Sequence, residues 1–422
     1  MADMTADRTR RSLDAANFFL ADVRDGLGPY LAIYLLTVQH WDEATIGLVM
    51  SIAGIAGILA QTPAGALIDK TRLKRLVIVV AAAMVTVGSL ALPFMPHFLP
   101  VAITQGLTGI AGSIFAPALA AVSLGIVGPK AFAKRIGRNE AFNHAGNATA
   151  ATIAGITAYF FGPIAVFWLM AAMAVASVFA ILSIPADAID HDMARGLKGK
   201  RGEDQEDESV SGIKVLLTCR PLLIFAVCAV IFHFANAAML PLVGQKLALA
   251  NKNLGTTLMS VCIVAAQVIM VPVAILVGKK ADVWGRRPIF LVALGVLALR
   301  GALYPVSDNP YWLVGVQALD GIGAGIFGAL FPLIISDLTQ GTGRFNVSQG
   351  IVATAQGIGG ALSTTVAGLI VVSAGYSAAF FTLAGIAAVG LVIFFTLMPE
   401  TKTTDDMPDR TPSGPMPVGA SA

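Results

Sequence analysis

Charged residues are scarce in this sequence. Only 13% of its 422 residues are Asp, Glu, Lys or Arg, whereas 56% are hydrophobic and the mean hydropathy is +0.78. A water-soluble protein of this length needs more polar surface than such a composition supplies, so a soluble globular fold is excluded. The sequence therefore predicts a protein that lies mainly in a lipid bilayer.

Cysteine is also scarce, and a nucleotide-binding loop is missing. The three cysteines, Cys219, Cys228 and Cys262, lie in or beside apolar segments and have no spacing typical of disulfides or zinc. No Gly-x-x-x-x-Gly-Lys-Ser/Thr motif occurs, which argues against ATP as a direct energy source. We therefore predict no cofactor, no bound metal, no catalytic residue and no enzymatic activity.

Apolar segments long enough to cross about 30 Å of hydrocarbon as helices occur throughout the chain. They are too long, and with 43 glycines too rich in glycine, for lipid-exposed β-strands of about ten alternating residues. The sequence predicts an all-α membrane protein with twelve transmembrane helices. The expected spans are 15–38, 44–68, 74–95, 99–126, 139–160, 163–184, 219–245, 254–277, 288–305, 311–335, 346–371 and 376–398.

Lys and Arg concentrate in alternate loops between these spans. The positive-inside rule predicts that such loops face the cytoplasm, together with both termini, in a bacterial-type inner (plasma) membrane. The formal charge of +3 then reflects topology and gives no reason to expect a nucleic-acid partner. The basic segments are 8–11, 70–75, 130–138, 195–214 and 279–287, followed by Arg344 and Lys402.

A polar stretch without apolar periodicity, residues 186–218, divides the chain into two six-helix halves. We predict a cytoplasmic N-terminus (1–14), an N-terminal half (15–185), a cytoplasmic linker (186–218) and a C-terminal half (219–399). The tail, residues 400–422, is rich in Thr, Pro, Ser and Asp, a composition typical of disorder.

The two halves repeat one another at an offset of roughly 212 residues, as the halves of transporters do. Residues 65–69 recur as 278–282, and Gly162 recurs as Gly375. Several matches at one spacing predict two pseudo-symmetric six-helix bundles. Further matched positions are Gln105, Gly109 and Phe115 with Gln317, Gly321 and Phe327.

The loop after the eighth span carries the most specific motif. Residues 278–288 read GKKADVWGRRP and resemble the signature loop of the major facilitator superfamily in full. Residues 65–75 read GALIDKTRLKR and keep the glycine, the aspartate and the basic end, but have Arg72 where the family has glycine. The resemblance covers about residues 12 to 400 and implies the major facilitator fold, with two halves that rock about a site near the bilayer midplane.

Such a loop implies a cytoplasmic gate. An aspartate there accepts hydrogen bonds from a helix N-terminus and pairs with nearby arginines. The candidate gate residues are Asp69, Arg72, Asp282 and Arg286. The competing interpretation is that the basic residues of these loops only determine topology.

The first span contains Asp22, Arg24 and Asp25. Charges at membrane depth are costly and indicate a function or a partner. In the family that the chain resembles, the first, fourth, seventh and tenth helices line the cavity, so these charges are expected to face it. Either Asp22 or Asp25 carries a coupling proton, or both form a structural ion pair with Arg24.

The fifth span begins with Glu140, Asn143, His144 and Asn147, whose spacing places them on one helix face. Glu140 and His144 are candidates for a proton relay. The alternative is that the stripe only satisfies Arg24.

The seventh span offers His233 and Asn236 on one face, with Met239 nearby. Together with His144 they could ligate a soft metal, although no tight His or Cys spacing supports this; a substrate contact or a satisfied core histidine competes with it. Arg300 is expected near the periplasmic end of an outer helix, where its side chain can reach water.

Polar side chains in the cavity-lining spans are the candidate substrate-binding residues, although each glutamine could instead bond one helix to another. Drug–proton antiporters of the family carry an arginine in the fourth helix where this chain has Gln105, which leaves the direction of transport open. The candidates are Arg24, Gln105, Asn143, Asn147, His233, Asn236, Gln267, Asp320 and Gln356.

These observations predict a monomeric secondary transporter that moves a small polar or amphipathic solute by alternating access, coupled to H+. One alternative is a transporter of a transition-metal ion or metal complex that uses His144, His233 and Met239. Another is a transport-inactive membrane sensor. A membrane-embedded enzyme is disfavoured, because two histidines alone do not make a catalytic group.

Overall fold

The structure, a computed structural model, describes residues 2–25, 31, 34–35, 38–41, 43–162, 164–197, 219–250 and 255–402. Within these ranges the chain forms helices and short turns and contains no β-strand. The helices are α1 (Ala2–Asp25), α2 (Glu43–Lys70), α3 (Lys74–Ala91), α4 (Phe98–Phe161), α5 (Ala165–Leu182), α6 (Arg220–Asn236), α7 (Met239–Ala250), α8 (Gly255–Trp284), α9 (Arg286–Leu303), α10 (Pro310–Ala318), α11 (Asp320–Thr339) and α12 (Phe345–Leu397).

Two of these helices are broken by glycines with positive φ. Gly128 has φ 70° and ψ 170° inside α4, and Gly375 has φ 85° and ψ 172° inside α12. Glycine adopts this backbone conformation without steric cost, so the chain reverses direction there within a few residues. The helices α4 and α12 therefore each contain two membrane crossings.

Nine stretches of the described chain are long and apolar enough to cross a membrane, and those containing Gly128 and Gly375 are double, at 61 and 53 residues. The described residues thus supply eleven of the twelve predicted spans. The remaining one, 15–38, falls partly outside them. The fifth span begins near Pro129, about ten residues earlier than expected, because the predicted basic loop at 130–138 is helical.

Matching glycines mark the repeat in the backbone. Gly128 and Gly341 have φ of 70° and 82°, Gly162 and Gly375 have φ of 79° and 85°, and both pairs have the same separation in the sequence. The offset found in the sequence thus relates turns of the same conformation.

Each half has its own apolar core. In the C-terminal half Phe290 and Phe394 have ring centroids 4.5 Å apart, and Phe232 stacks on Phe327 at 4.8 Å. In the N-terminal half Phe115 and Val85 are fully buried in a separate cluster. Aromatic and aliphatic burial therefore holds each half together, and one aromatic pair, Phe132 of α4 and Phe345 of α12 with ring centroids 5.9 Å apart, also joins the halves.

The halves meet where helix backbones cross at glycines. A Cβ at Gly65 of α2 would lie 2.1 Å from the backbone oxygen of Asn346 in α12. A Cβ at Gly137 of α4 would lie 2.5 Å from the Cα of Gly278 in α8. Both crossings lie at the end of the bundle that carries Lys70 and Lys279, called the basic end below. Only glycine permits such close backbone approach.

Candidate functional site

A cavity of about 530 Å³ lies between the two halves. This volume is in the range of small-molecule sites. Much of the lining is glycine and alanine, whose side chains cannot form hydrogen bonds, so the few polar side chains supply the hydrogen bonds available to a solute. The residues of α1, α2, α4 and α12 with charged or amide side chains that line it are Asn17, Arg24, Gln61, Gln105, Asn139, Glu140, Gln349 and Gln356.

Four candidate site residues from the sequence reach this cavity: Arg24, Gln105, Glu140 and Gln356. The side chains of Asp22 and Asp25 lie outside the described part of the structure. Asn17, Gln61 and Asn139 were not predicted. Their signal in the sequence is an amide at a helix position facing the bundle interior, but one sequence does not indicate that face.

Glu140 and His144 face one another one helical turn apart, with Glu140 Oε2 3.9 Å from His144 Nε2. Asn143 donates to the same carboxylate at 3.4 Å. Asn147 lies a turn further along, half-buried and outside the cavity lining. The stripe predicted in the fifth span is thus a continuous polar row that starts in the cavity.

His144 also bonds across the boundary between the halves, since its Nδ1 lies 2.8 Å from Oε1 of Gln267 in α8. In the neutral tautomer with its proton on Nδ1, this nitrogen donates to the amide oxygen and Nε2 keeps a lone pair. Nε2 is buried and, among the described residues, has no hydrogen-bond partner. Two acceptors, Nε2 and the Glu140 carboxylate, therefore face each other with room for one proton.

An ion cluster that sequence reasoning missed, buried at Asp14 and Arg135 and exposed at Arg138, ties α1 to α4. The carboxylate of Asp14 accepts bonds from Arg135 at 2.5 Å and from Arg138 at 2.6 Å. Arg135 also donates to Asn139, which donates to Ser123, both at 2.7 Å. Asp14 was assigned to a cytoplasmic terminus because the predicted first span began at residue 15, whereas α1 begins at Ala2.

The C-terminal half contains a second buried polar cluster centred on Arg300. The prediction that Arg300 reaches water was wrong: its side chain is 1% exposed, pairs with Asp320, and donates to Asn236 at 2.6 Å. Met239 Sδ lies 3.1 Å from the same guanidinium. The side chain points inward because Asp320, at the start of α11, supplies its counter-charge.

The metal alternative finds no support in this arrangement. His233 bonds to the backbone oxygen of Ala229 at 3.1 Å and its ring packs against Phe327. Met239 faces Arg300, and His144 bonds to Gln267. No group of three or more His, Cys, Asp or Glu side chains suited to a metal occurs in the described ranges.

At the basic end, Asp69 of α2 lies against the first turn of α12. Its carboxylate accepts backbone N–H bonds from Asn346 at 3.2 Å and Val347 at 2.8 Å, and a side-chain bond from Asn346 at 2.8 Å. These bonds join the two halves. Arg72, by contrast, is exposed.

Asp282, in the copy of the loop that resembles the family more closely, bonds within its own half. It pairs with Arg286 at 2.6 Å, and Arg286 pairs with Asp337 at 2.9 Å. The Asp282 side chain is 49% exposed. The two copies of the motif therefore make different contacts, and the cross-half bonds belong to the degenerate copy.

The described part of the linker, residues 186–197, packs beside this contact. Asn346 donates to the backbone oxygen of Ala194 at 3.0 Å, and the Asp190 backbone N–H donates to Gly125 at 3.0 Å. Burial, together with the positive charges of Lys74 and Arg72, lowers the pKa of His191 in this segment. The linker thus covers the basic end where α2, α4 and α12 meet.

A bundle of membrane-spanning helices with two repeated halves around a solute-sized cavity defines the class of membrane transporters. Comparison with known proteins identifies the family. The sequence profile of the Major Facilitator Superfamily matches residues 13–307 and 267–420. The chain belongs to the major facilitator superfamily.

Relatives of the chain include an uncharacterized MFS-type transporter of Mycobacterium tuberculosis strain H37Rv, Rv2456c. It is 60% identical over 398 residues, which is 94% of this chain and 95% of the relative. The multidrug transporter protein MdtP of Bacillus subtilis is 30% identical over 112 residues, 26% of this chain and 20% of MdtP.

Among solved structures, the proton:xylose symporter XylE bound to 6-bromo-6-deoxy-D-glucose superposes with a TM-score of 0.68. The match covers 95% of this chain and 98% of XylE at 14% identity. At that identity the match shows the shared fold, and the predicted major facilitator fold is confirmed.

Proposed function

We propose that this protein is a secondary active transporter that moves a small polar or amphipathic solute by alternating access, coupled to protons. The observation that carries the proposal is a central cavity whose basic end is closed by bonds between the halves, above all those of Asp69 with α12. A closure made of polar bonds and a small aromatic contact can open and re-form without unfolding either half.

The contacts along α2 support a state that is closed at one end only. Gly65 and Gly350 contact the opposite half closely. A Cβ added at Gly65 would lie 2.1 Å from the Asn346 backbone oxygen, and one added at Gly350 would lie 2.3 Å from the Gln61 backbone oxygen. Gly54, about 16 Å further along the helix at 1.5 Å per residue, has no atom within 4 Å of such a Cβ. The halves are therefore in contact at Gly65 and Gly350 and apart at Gly54, which lines the cavity.

The proton site that we propose is the space between Glu140 and His144. A proton there converts two facing acceptors into a donor and an acceptor and removes the unpaired polar atom. Because His144 also bonds to Gln267, the protonation state of this pair acts on a contact between the halves. Asp22 and Asp25 remain candidates for the same role.

From the positive-inside rule we propose that the closed end and both termini lie in the cytoplasm. We propose a monomer in a bacterial inner membrane that binds solute and H+, without a nucleic-acid partner or enzymatic activity. XylE is named as a proton symporter, which supports H+ as the coupling ion in this fold.

Proteoliposomes with the purified chain and an internal pH-sensitive dye test the proposal against a panel of drugs, sugars, carboxylates and metal ions. We expect a solute-dependent pH change that Glu140→Gln abolishes. Asp25→Asn measures how much of the proton movement depends on the first helix. Asp308→Asn is the matched control, because its carboxylate is exposed and far in the chain from the cavity-lining residues. No pH change with any solute would contradict proton coupling.

A further inference from the structure

Two charged side chains occur among the described cavity-lining residues, Arg24 and Glu140. The Glu140 carboxylate has two polar neighbours, His144 and Asn143. Within the described part of the chain, the Arg24 guanidinium has neither a hydrogen bond nor an ion pair. The cavity thus contains one cation without a described counter-charge.

A guanidinium at membrane depth is costly unless an anion or a set of acceptors faces it. The space that Arg24 faces is the cavity itself. A bound anion would therefore offset the cost of the cation.

Amide side chains line the same space. Gln61, Gln105 and Gln349 come from α2, α4 and α12, and Oε1 of Gln61 is buried without a described partner. Asn17 lies two turns before Arg24 on the same face of α1. Amides both donate and accept hydrogen bonds, so they suit a solute with hydroxyl or carbonyl groups.

The single cation also limits the charge of the solute. One planar guanidinium matches one carboxylate in a bidentate pair, whereas a dianionic phosphate needs a second positive group. We propose that the cavity binds a small hydroxylated monocarboxylate, with its carboxylate on Arg24 and its hydroxyl groups on the cavity glutamines. This assignment rests on the proposed transport function and names its substrate class.

Thermal unfolding of the full chain in nanodiscs tests the assignment with matched probes. Gluconate, glucuronate, quinate and lactate are each compared with their neutral amides, and glucuronate also with glucose and cationic glucosamine. We expect at least one carboxylate to raise the unfolding temperature while its amide does not. Stabilisation by no carboxylate, or equally by the neutral or cationic partner, overturns the assignment.

Variants then locate the charge contact. Arg24→Gln is expected to weaken binding of the stabilising carboxylate by about 30-fold or more, the usual loss when one partner of a buried charge pair is removed. Arg24→Lys should restore part of it, which also shows that the site still folds. Lys130→Gln removes an exposed charge outside the cavity and should change nothing. Unchanged binding in Arg24→Gln contradicts the proposal.

The transport assay distinguishes a failure of the carboxylate assignment from a failure of the proposed transporter function. Solute-driven proton movement with neutral or cationic solutes alone would leave the proposed transporter intact and refute the carboxylate. Binding of a carboxylate through Arg24 without proton movement would support the site and contradict proton coupling.

Discussion

The carboxylate of Asp69 lies on the N-terminal turn of α12, where its Oδ2 accepts a 2.8 Å hydrogen bond from the backbone N–H of Val347. The first N–H groups of a helix have no partner within it, and its dipole is positive at that end. Asp69 of the N-terminal half thus caps the N-terminus of α12 in the C-terminal half.

Replacing Asp69 by Asn removes the negative charge at this helix end but keeps an acceptor. We expect a loss of about 1–2 kcal/mol from the closed arrangement, the range for a partly buried charge at a helix terminus. Hydrogen exchange of residues 339–350 should then be faster than in the wild type. Asp282→Asn is the control, because Asp282 pairs with Arg286 of its own half. Equal exchange in the Asp69 variant and the wild type would contradict a closing role.

Glu140→Gln and His144→Gln should separate solute binding from proton movement. Each variant replaces one of the two facing protonatable groups by an amide that cannot take up a proton, so the proton between them loses its site. We expect the solute-driven pH change to be lost, while exchange of labelled solute across the membrane at equal concentrations continues. An undiminished pH signal in both variants would exclude this pair as the coupling site.

Asp14→Asn should destabilise the N-terminal half. The change leaves Arg135, which is buried, without its anion, and breaking a buried pair in this way costs about 3–5 kcal/mol. Thermal unfolding should occur at a clearly lower temperature. Asp308→Asn breaks the Lys246 pair, in which the Asp308 side chain is 80% exposed, and should cost about 1 kcal/mol or less. Similar losses in the two variants would refute the buried role of Asp14.

Gly65→Ala tests the close crossing of α2 and α12. The added methyl group would meet the Asn346 backbone oxygen at 2.1 Å, so the halves must separate at the basic end. We expect transport to fall at least tenfold, as the closed arrangement is lost. Gly315→Ala adds the same methyl group where no atom lies within 4 Å, and full activity is expected there. Normal transport by Gly65→Ala would rule out a tight crossing during the cycle.

The fold was largely predictable because its signals are local. Apolar length, alternating basic loops and a repeat offset each follow from the sequence, and the offset pairs Gly162 with Gly375, which share a positive φ. The pairing of Asp14 with Arg135 was not predictable, since it joins residues 121 positions apart through helix packing. Periodicity placed Glu140 and His144 on one face but could not supply Gln267 as the partner in α8.

The similarity of each loop to the family motif did not predict which loop forms bonds between the halves. Residues 278–288 resemble the family loop more closely than residues 65–75, yet Asp69 and not Asp282 makes the described bonds between the halves. Resemblance reports which residue types a loop retains. Which helix end lies within reach depends on the tilt of each half, which the loop sequence does not contain.

The glycine crossings leave two helix backbones free to slide or rotate against each other. At Gly137 and Gly278 two backbones touch with no side chain between them, so nothing there interlocks or must be repacked when one surface rotates over the other. In the proposed alternating-access cycle each half would turn with its own apolar core, and the Phe132–Phe345 pair between the halves would separate. In that cycle the polar bonds between the halves, such as that of Asp69 with Val347, would have to break at each opening, so their strength would limit the rate of opening.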